Sequence, residues 1–112
     1  MLLCLAGCMK IAEVNTELDM NKGDVRRVSF DALPYDYELN VEFRSTNSIV
    51  TVAIFNKADV LKLKEVDSKK ALATHTAREG KLVQKIDKGT AVSVVILNDE
   101  MKTDVWTKVW SK

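Results

Sequence analysis

The chain has one histidine, one proline, four glycines and two cysteines in 112 residues, and each shortage removes a class of protein. Both cysteines, Cys4 and Cys8, fall within the first eight residues, so no disulfide framework can staple the remainder. A single histidine without a Cys-x-x-Cys pair gives no zinc set, and no metal or cofactor is expected. The glycines stand singly at Gly7, Gly23, Gly80 and Gly89, so no glycine-rich loop can cradle a phosphate. Charge of one sign is also missing: 17 basic side chains stand against 16 acidic ones, for a net charge of +1. With the two signs interspersed there is no long-range field to draw nucleic acid, which is excluded as a partner. No run approaches the roughly 20 apolar residues that span a bilayer as a helix. What is present is a hydrophobic fraction of 46%, too high for disorder, in a length that suits one domain with a core of its own.

The opening Met1-Leu2-Leu3-Cys4-Leu5-Ala6-Gly7-Cys8 is apolar throughout. Its Leu5-Ala6-Gly7-Cys8 resembles the lipobox at which bacterial lipoprotein signals are cleaved. The resemblance implies that the Cys8 thiol takes a diacylglyceryl group, that the chain is cut before it, and that two or more acyl chains anchor the product stably. A secretory signal runs about 15–30 residues with a basic start, whereas seven residues precede Cys8 and none is Lys or Arg. Either the signal continues upstream of Met1 or the match is fortuitous. Residues 1–10 are therefore set apart as an apolar leader, and 11–112 as the domain.

From Ile11 the pattern becomes one of short β-type runs between turn residues. Ile11 to Leu18 and Val25 to Phe30 are the first two, separated by Asp19-Met20-Asn21-Lys22-Gly23-Asp24. Tyr37, Leu39, Val41 and Phe43 alternate with Glu38, Asn40, Glu42 and Arg44, which puts one face in the core and the other in water. Ile49 to Phe55 and Ala91 to Leu97 are apolar on both faces and are expected to be central strands. Ala71 to Thr76 is a weak strand, Ala77 to Gly80 a turn, and Lys81 to Ile86 a strand with Leu82, Gln84 and Ile86 on one side. Thr103 to Trp110 closes the domain. Between Asn56 and Val66 the period changes: Val60, Leu63 and Val66 recur at helical spacing behind Asn56 as N-cap, which predicts one short helix. The expected fold is all-β, a single antiparallel β-sandwich of seven or eight strands with that one helix.

The sequence of signals in Val25 to Ser111 resembles the pre-peptidase C-terminal type of small bacterial β-sandwich. The resembling parts are Val28-Ser29-Phe30-Asp31-Ala32-Leu33, Tyr37-Glu38-Leu39-Asn40-Val41 and Gly89-Thr90-Ala91-Val92-Ser93-Val94-Val95-Ile96-Leu97-Asn98. The resemblance implies an accessory module of a secreted or surface protein, without catalysis of its own.

The sequence holds no recognisable catalytic constellation. His75, between Thr74 and Thr76, is a lone base on a strand, and no serine lies in a Gly-x-Ser-x-Gly elbow. Asp19-x-Asn21-x-Gly23-Asp24 opens like a calcium loop, but glycine holds the fifth position and Phe30 the twelfth, where a bidentate glutamate belongs. A polar hairpin turn explains it better, and Asp31, Asp36, Asp99 and Glu100 read as solvated loop charges. Lys62, Lys64, Lys69 and Lys70 are interrupted by Glu65 and Asp67, as on a solvated helix face. No residue is assigned a catalytic role, and the chain is not expected to be an enzyme.

The distinctive feature downstream is Trp106-Thr107-Lys108-Val109-Trp110. In a strand, Trp106, Lys108 and Trp110 share one face and Val105, Thr107 and Val109 the other. If the valines form the core, two indoles flank a lysine on the outside as a platform for sugar rings or a protein. If the indoles point inward they supply core mass, and the size of the ring favours at least partial burial. The sequence thus implies a non-catalytic binding or structural module of a bacterial cell envelope. It would be anchored to the membrane through Cys8 or held in the periplasm or outside the cell, with a protein or carbohydrate partner. The alternative is a carbohydrate- or ligand-binding domain that uses the Trp106, Lys108 and Trp110 face.

Overall fold

The computed structural model describes residues 13–57 and 71–111. Among the described residues there are eight strands: β1 (Val14–Met20), β2 (Val25–Phe30), β3 (Tyr37–Ser45), β4 (Val50–Asn56), β5 (Ala73–Ala77), β6 (Glu79–Ile86), β7 (Val92–Leu97) and β8 (Thr103–Ser111). They form two four-stranded antiparallel sheets, ordered β1-β8-β3-β6 and β2-β7-β4-β5. Every connection except β4 to β5 crosses from one sheet to the other, which is the winding of a jelly roll. The expected sandwich is therefore present.

The alternation in Tyr37 to Phe43 does what its period requires on the core face, but on the other face Asn40, expected in water, is buried as well. Tyr37, Leu39, Val41 and Phe43 all point into the core, where they meet Val50, Val52 and Ile54 of β4 and Val92, Val94 and Ile96 of β7. Fully burying each such side chain is worth roughly 1.5–3 kcal/mol. As expected, β7 lies between β2 and β4, and β4 lies between β7 and β5. Their second faces are apolar too: Ala53, Phe55 and Val95 form a separate buried cluster against which Ala71 packs.

One local expectation changes at the β5–β6 crossing. Ala77 to Gly80 is not a turn of four residues, because Ala77 ends β5, Glu79 begins β6, and Arg78 alone carries the chain between sheets. Gly80 permits a close approach and holds no turn conformation: a Cβ there would lie 2.6 Å from Nε2 of His75, whose ring would have to move. Asn56, read as an N-cap, ends β4 opposite Val92 and directly precedes Lys57, which is helical, as an N-cap position requires. The rest of the helix expected after it, with Val60, Leu63, Val66 and the basic Lys62, Lys64, Lys69 and Lys70, lies outside the described residues, as does the start of the first strand at Ile11.

One end of the sandwich is closed by buried polar residues. Asn98, Ser48, Ser45 and Thr103 are almost entirely inaccessible and tie the β1–β2, β3–β4 and β7–β8 connections together. In the β1–β2 turn, Gly23 takes φ of 87°, open to glycine at no steric cost, and its N–H donates to the Asn98 carbonyl at 2.6 Å.

Candidate functional site

β8 lies inside its sheet, flanked by β1 and β3, and its alternation decides which side chains reach solvent. Val105 and Val109 are buried in the main core and Thr107 is buried beside them. Trp106, Lys108 and Trp110 are thereby forced to the outer face, where each is half-buried. The indoles do not supply the interior of the sandwich, although their partial burial is what ring size favours. Along the strand the two tryptophans stand about 13 Å apart.

Register brings three further strands to this face. Across the sheet from Trp106 stand Glu17 of β1 and Arg44 of β3, with Glu79 of β6 beyond. Across from Lys108 stand Asn15 and Glu42, with Lys81 beyond, and across from Trp110 stands Asn40, with Val83 beyond. Arg44 lies 5.8 Å from the centre of the Trp106 ring. Two ammoniums approach Trp110: Lys108 at 5.0 Å and Lys81 at 5.4 Å. Each is within the distance at which a cation is attracted to an indole face.

The cations are answered by carboxylates. Arg44 pairs with Glu79 at 3.6 Å, and Lys108 with Glu13 at 3.1 Å. The Glu13 carboxyl is held below its ordinary range, first by a hydrogen bond donated by the Asn15 amide and then by Lys108. At the Trp106 end of the face the surface sinks into an open groove of about 500 Å³, lined in part by Glu17, Asp19, Arg44, Thr46, Asp104 and Trp106. Sequence reasoning found the two tryptophans and Lys108 but not Arg44, Glu42, Lys81 or Asn15 as their neighbours. The alternation marked Glu42 and Arg44 as solvent-facing, yet only strand order shows what they face.

The other candidates separate. His75 is exposed on the edge strand β5, with its ring edge-on to Phe43 at 5.7 Å. The turn expected from Asp19 begins later: Asp19 and Met20 belong to β1, and Asn21 to Asp24 form the tight turn, in which the Asn21 N–H donates to Oδ2 of Asp24 at 2.8 Å. Asp31 pairs with Lys57 at 3.7 Å, and Oδ1 of Asp36 accepts the Lys88 N–H at 2.7 Å. Among the described residues no group of three or more His, Cys, Asp or Glu is placed to hold a metal ion. Cys8 lies outside the described residues, and among them no helix is long and apolar enough to cross a membrane.

No protein-family model matches the chain, and no curated protein matches it in sequence. The resemblance to the pre-peptidase C-terminal type thus extends to the β-sandwich alone. Solved structures do share the architecture. PirA is 15% identical, with 89% of this chain and 93% of that one covered at a TM-score of 0.53. A Bacillus endospore appendage, from a family of disulfide-linked pili, is 10% identical over 91% of this chain and 88% of that one, with a TM-score of 0.48. The carbohydrate-binding module CBM36, solved with calcium and xylotriose, is 10% identical over 89% of this chain and 98% of that one, with a TM-score of 0.45. At such identities the likeness is one of fold, and function has to be argued from the site.

Proposed function

We propose that the chain is a non-catalytic binding module of a bacterial cell envelope, attached by lipid at Cys8, and that its contact surface is the outer face of the β1-β8-β3-β6 sheet. The observation that supports this most is the direction of the β8 side chains: Val105, Thr107 and Val109 fill the interior and leave two indoles and a lysine outside. Tryptophan contributes much of its value when its surface is removed from water, so two on the outside of one strand invite a partner. The lipid address rests on Leu5-Ala6-Gly7-Cys8.

Each half of the reading has its own test. Intact mass and membrane partition of the protein from its native locus, beside Cys8→Ala, tests the address. The expected result is a chain beginning at Cys8 with added acyl mass, lost from membranes in the variant; an unmodified chain still carrying Met1 overturns it. Acrylamide quenching of the two tryptophans tests the surface. Both are expected to be quenched in the folded protein, and protection of both overturns the reading.

A further inference from the structure

The chemistry of the tryptophan face selects among partners. Each cation on it has a carboxylate close by or opposite in register: Arg44 with Glu79, Lys108 with Glu13 and Glu42, Lys81 with Glu42, and Lys85 with Glu38. A face neutralised in this way carries no field to attract a polyanion or an anionic membrane. Nor is it the continuous apolar patch that a stable protein interface needs at its centre, because Lys108, Glu42 and Lys81 run between Trp106 and the Trp110 row, and the polar Asn40 stands between Trp110 and Val83. What remains is a row of aromatic surfaces set among hydrogen-bonding groups of both kinds. Carboxylates accept, ammonium and guanidinium groups donate, and the Asn15 amide does both.

From this pattern we propose that the face binds a neutral polysaccharide of β-linked pyranose rings lying along β8, an inference that rests on the face being the contact surface. A β-linked pyranose with equatorial substituents has two flat faces lined with C–H groups and a rim of hydroxyls. The C–H face stacks on an indole while the hydroxyls reach the surrounding side chains. The two tryptophans, about 13 Å apart on one strand, engage separate rings of one chain. Arg44 lies over the Trp106 ring, and Lys81 and Lys108 over that of Trp110; these long side chains swing aside for a sugar and present donors to its hydroxyls. The open groove of about 500 Å³ at the Trp106 end takes a terminal or branching sugar between Glu17, Asp19 and Asp104.

Native affinity electrophoresis of the full chain tests this, in gels containing xylan, hydroxyethylcellulose or soluble glycol chitin, with dextran sulfate as the anionic control. At least one neutral polysaccharide is expected to retard the protein and dextran sulfate to leave it unaffected. Trp106→Ala and Trp110→Ala are each expected to weaken retardation by about tenfold, the worth of one stacked aromatic. Trp110→Leu, which keeps apolar cover over the sheet, is expected to lose binding equally while retaining the parental circular dichroism. Saturating polysaccharide is expected to protect the indoles from acrylamide. Absence of retardation by all three neutral polymers, retardation by dextran sulfate alone, or unchanged retardation in the Trp106→Ala/Trp110→Ala double variant each overturns the inference. The free protein separates the two levels of argument. Indoles quenched by acrylamide without any retardation sink the polysaccharide and leave the contact surface standing, whereas indoles shielded in the free protein sink the surface itself.

Discussion

Asn98 is fully buried, and its side chain satisfies five polar groups from three connections. Its amide nitrogen donates to the carbonyls of Met20, Asn21 and Met101, and its oxygen accepts from the Ser48 hydroxyl and the Glu100 N–H. Asn98→Ala leaves these groups unpaired and is expected to cost about 3 kcal/mol in urea denaturation. Asn98→Asp, nearly the same shape, is expected to be at least as damaging, because a carboxylate would face three carbonyl oxygens. Tyr37 is the opposite case. Its hydroxyl and that of Tyr35 are buried without a hydrogen-bond partner, so Tyr37→Phe is expected to raise stability by about 1 kcal/mol. A loss of stability would show that the hydroxyl is bonded after all. Burial first, and then neighbouring Tyr35, push the Tyr37 pKa up. The unfolded chain therefore releases this proton at a lower pH than the folded one. The contribution is complete below the ordinary tyrosine pKa of about 10 and is lost as pH rises through the elevated folded value, so melting curves of Tyr37→Phe should fall less steeply above pH about 10.

At the scale of elements, β3 was legible because its alternation runs through Tyr37, Leu39, Val41 and Phe43 without a break, and every one of those residues is buried. β4 and β7 were legible because apolar residues on both faces, as in Val52-Ala53-Ile54-Phe55, fit only a strand covered on both sides. What could not be read was strand order, since β1 and β8 pair across most of the chain and no local signal records it. The tryptophan face suffers from the same gap: Trp106 and Lys108 are visible in sequence, but the Arg44, Glu42 and Lys81 around them come from other strands. Asn98 was indistinguishable from an ordinary polar loop residue, because nothing in Asn98-Asp99-Glu100-Met101-Lys102 shows that its first member faces inward. The β5–β6 crossing offers a test at this scale. A methyl at position 80 would sit 2.6 Å from Nε2 of His75 and 3.2 Å from the Phe43 ring, so the imidazole must swing off Phe43 to admit it. Gly80→Ala is expected to cost about 1 kcal/mol in the parent and much less in a His75→Ala background, a coupling that a double-mutant cycle measures.

For the molecule as a whole, eight strands must find partners through connections that mostly change sheets, so little structure forms locally before distant strands meet. Refolding is expected in milliseconds to seconds, the range of β-sandwiches, and stopped-flow fluorescence of Trp106 and Trp110 follows it directly. The pairing of β1 with β8 carries a mechanical consequence. Val14 lies opposite Val109 in an antiparallel ladder, so the backbone at Glu13 and at Ser111 leaves the domain from the same end. Tension applied between those two points therefore does not shear the ladder as a block. It loads one pair of hydrogen bonds at a time, from Val14 and Val109 toward Met20 and Thr103, like a zipper opened from its end. In an optical trap the domain should open at low force, with β1 and β8 parting first.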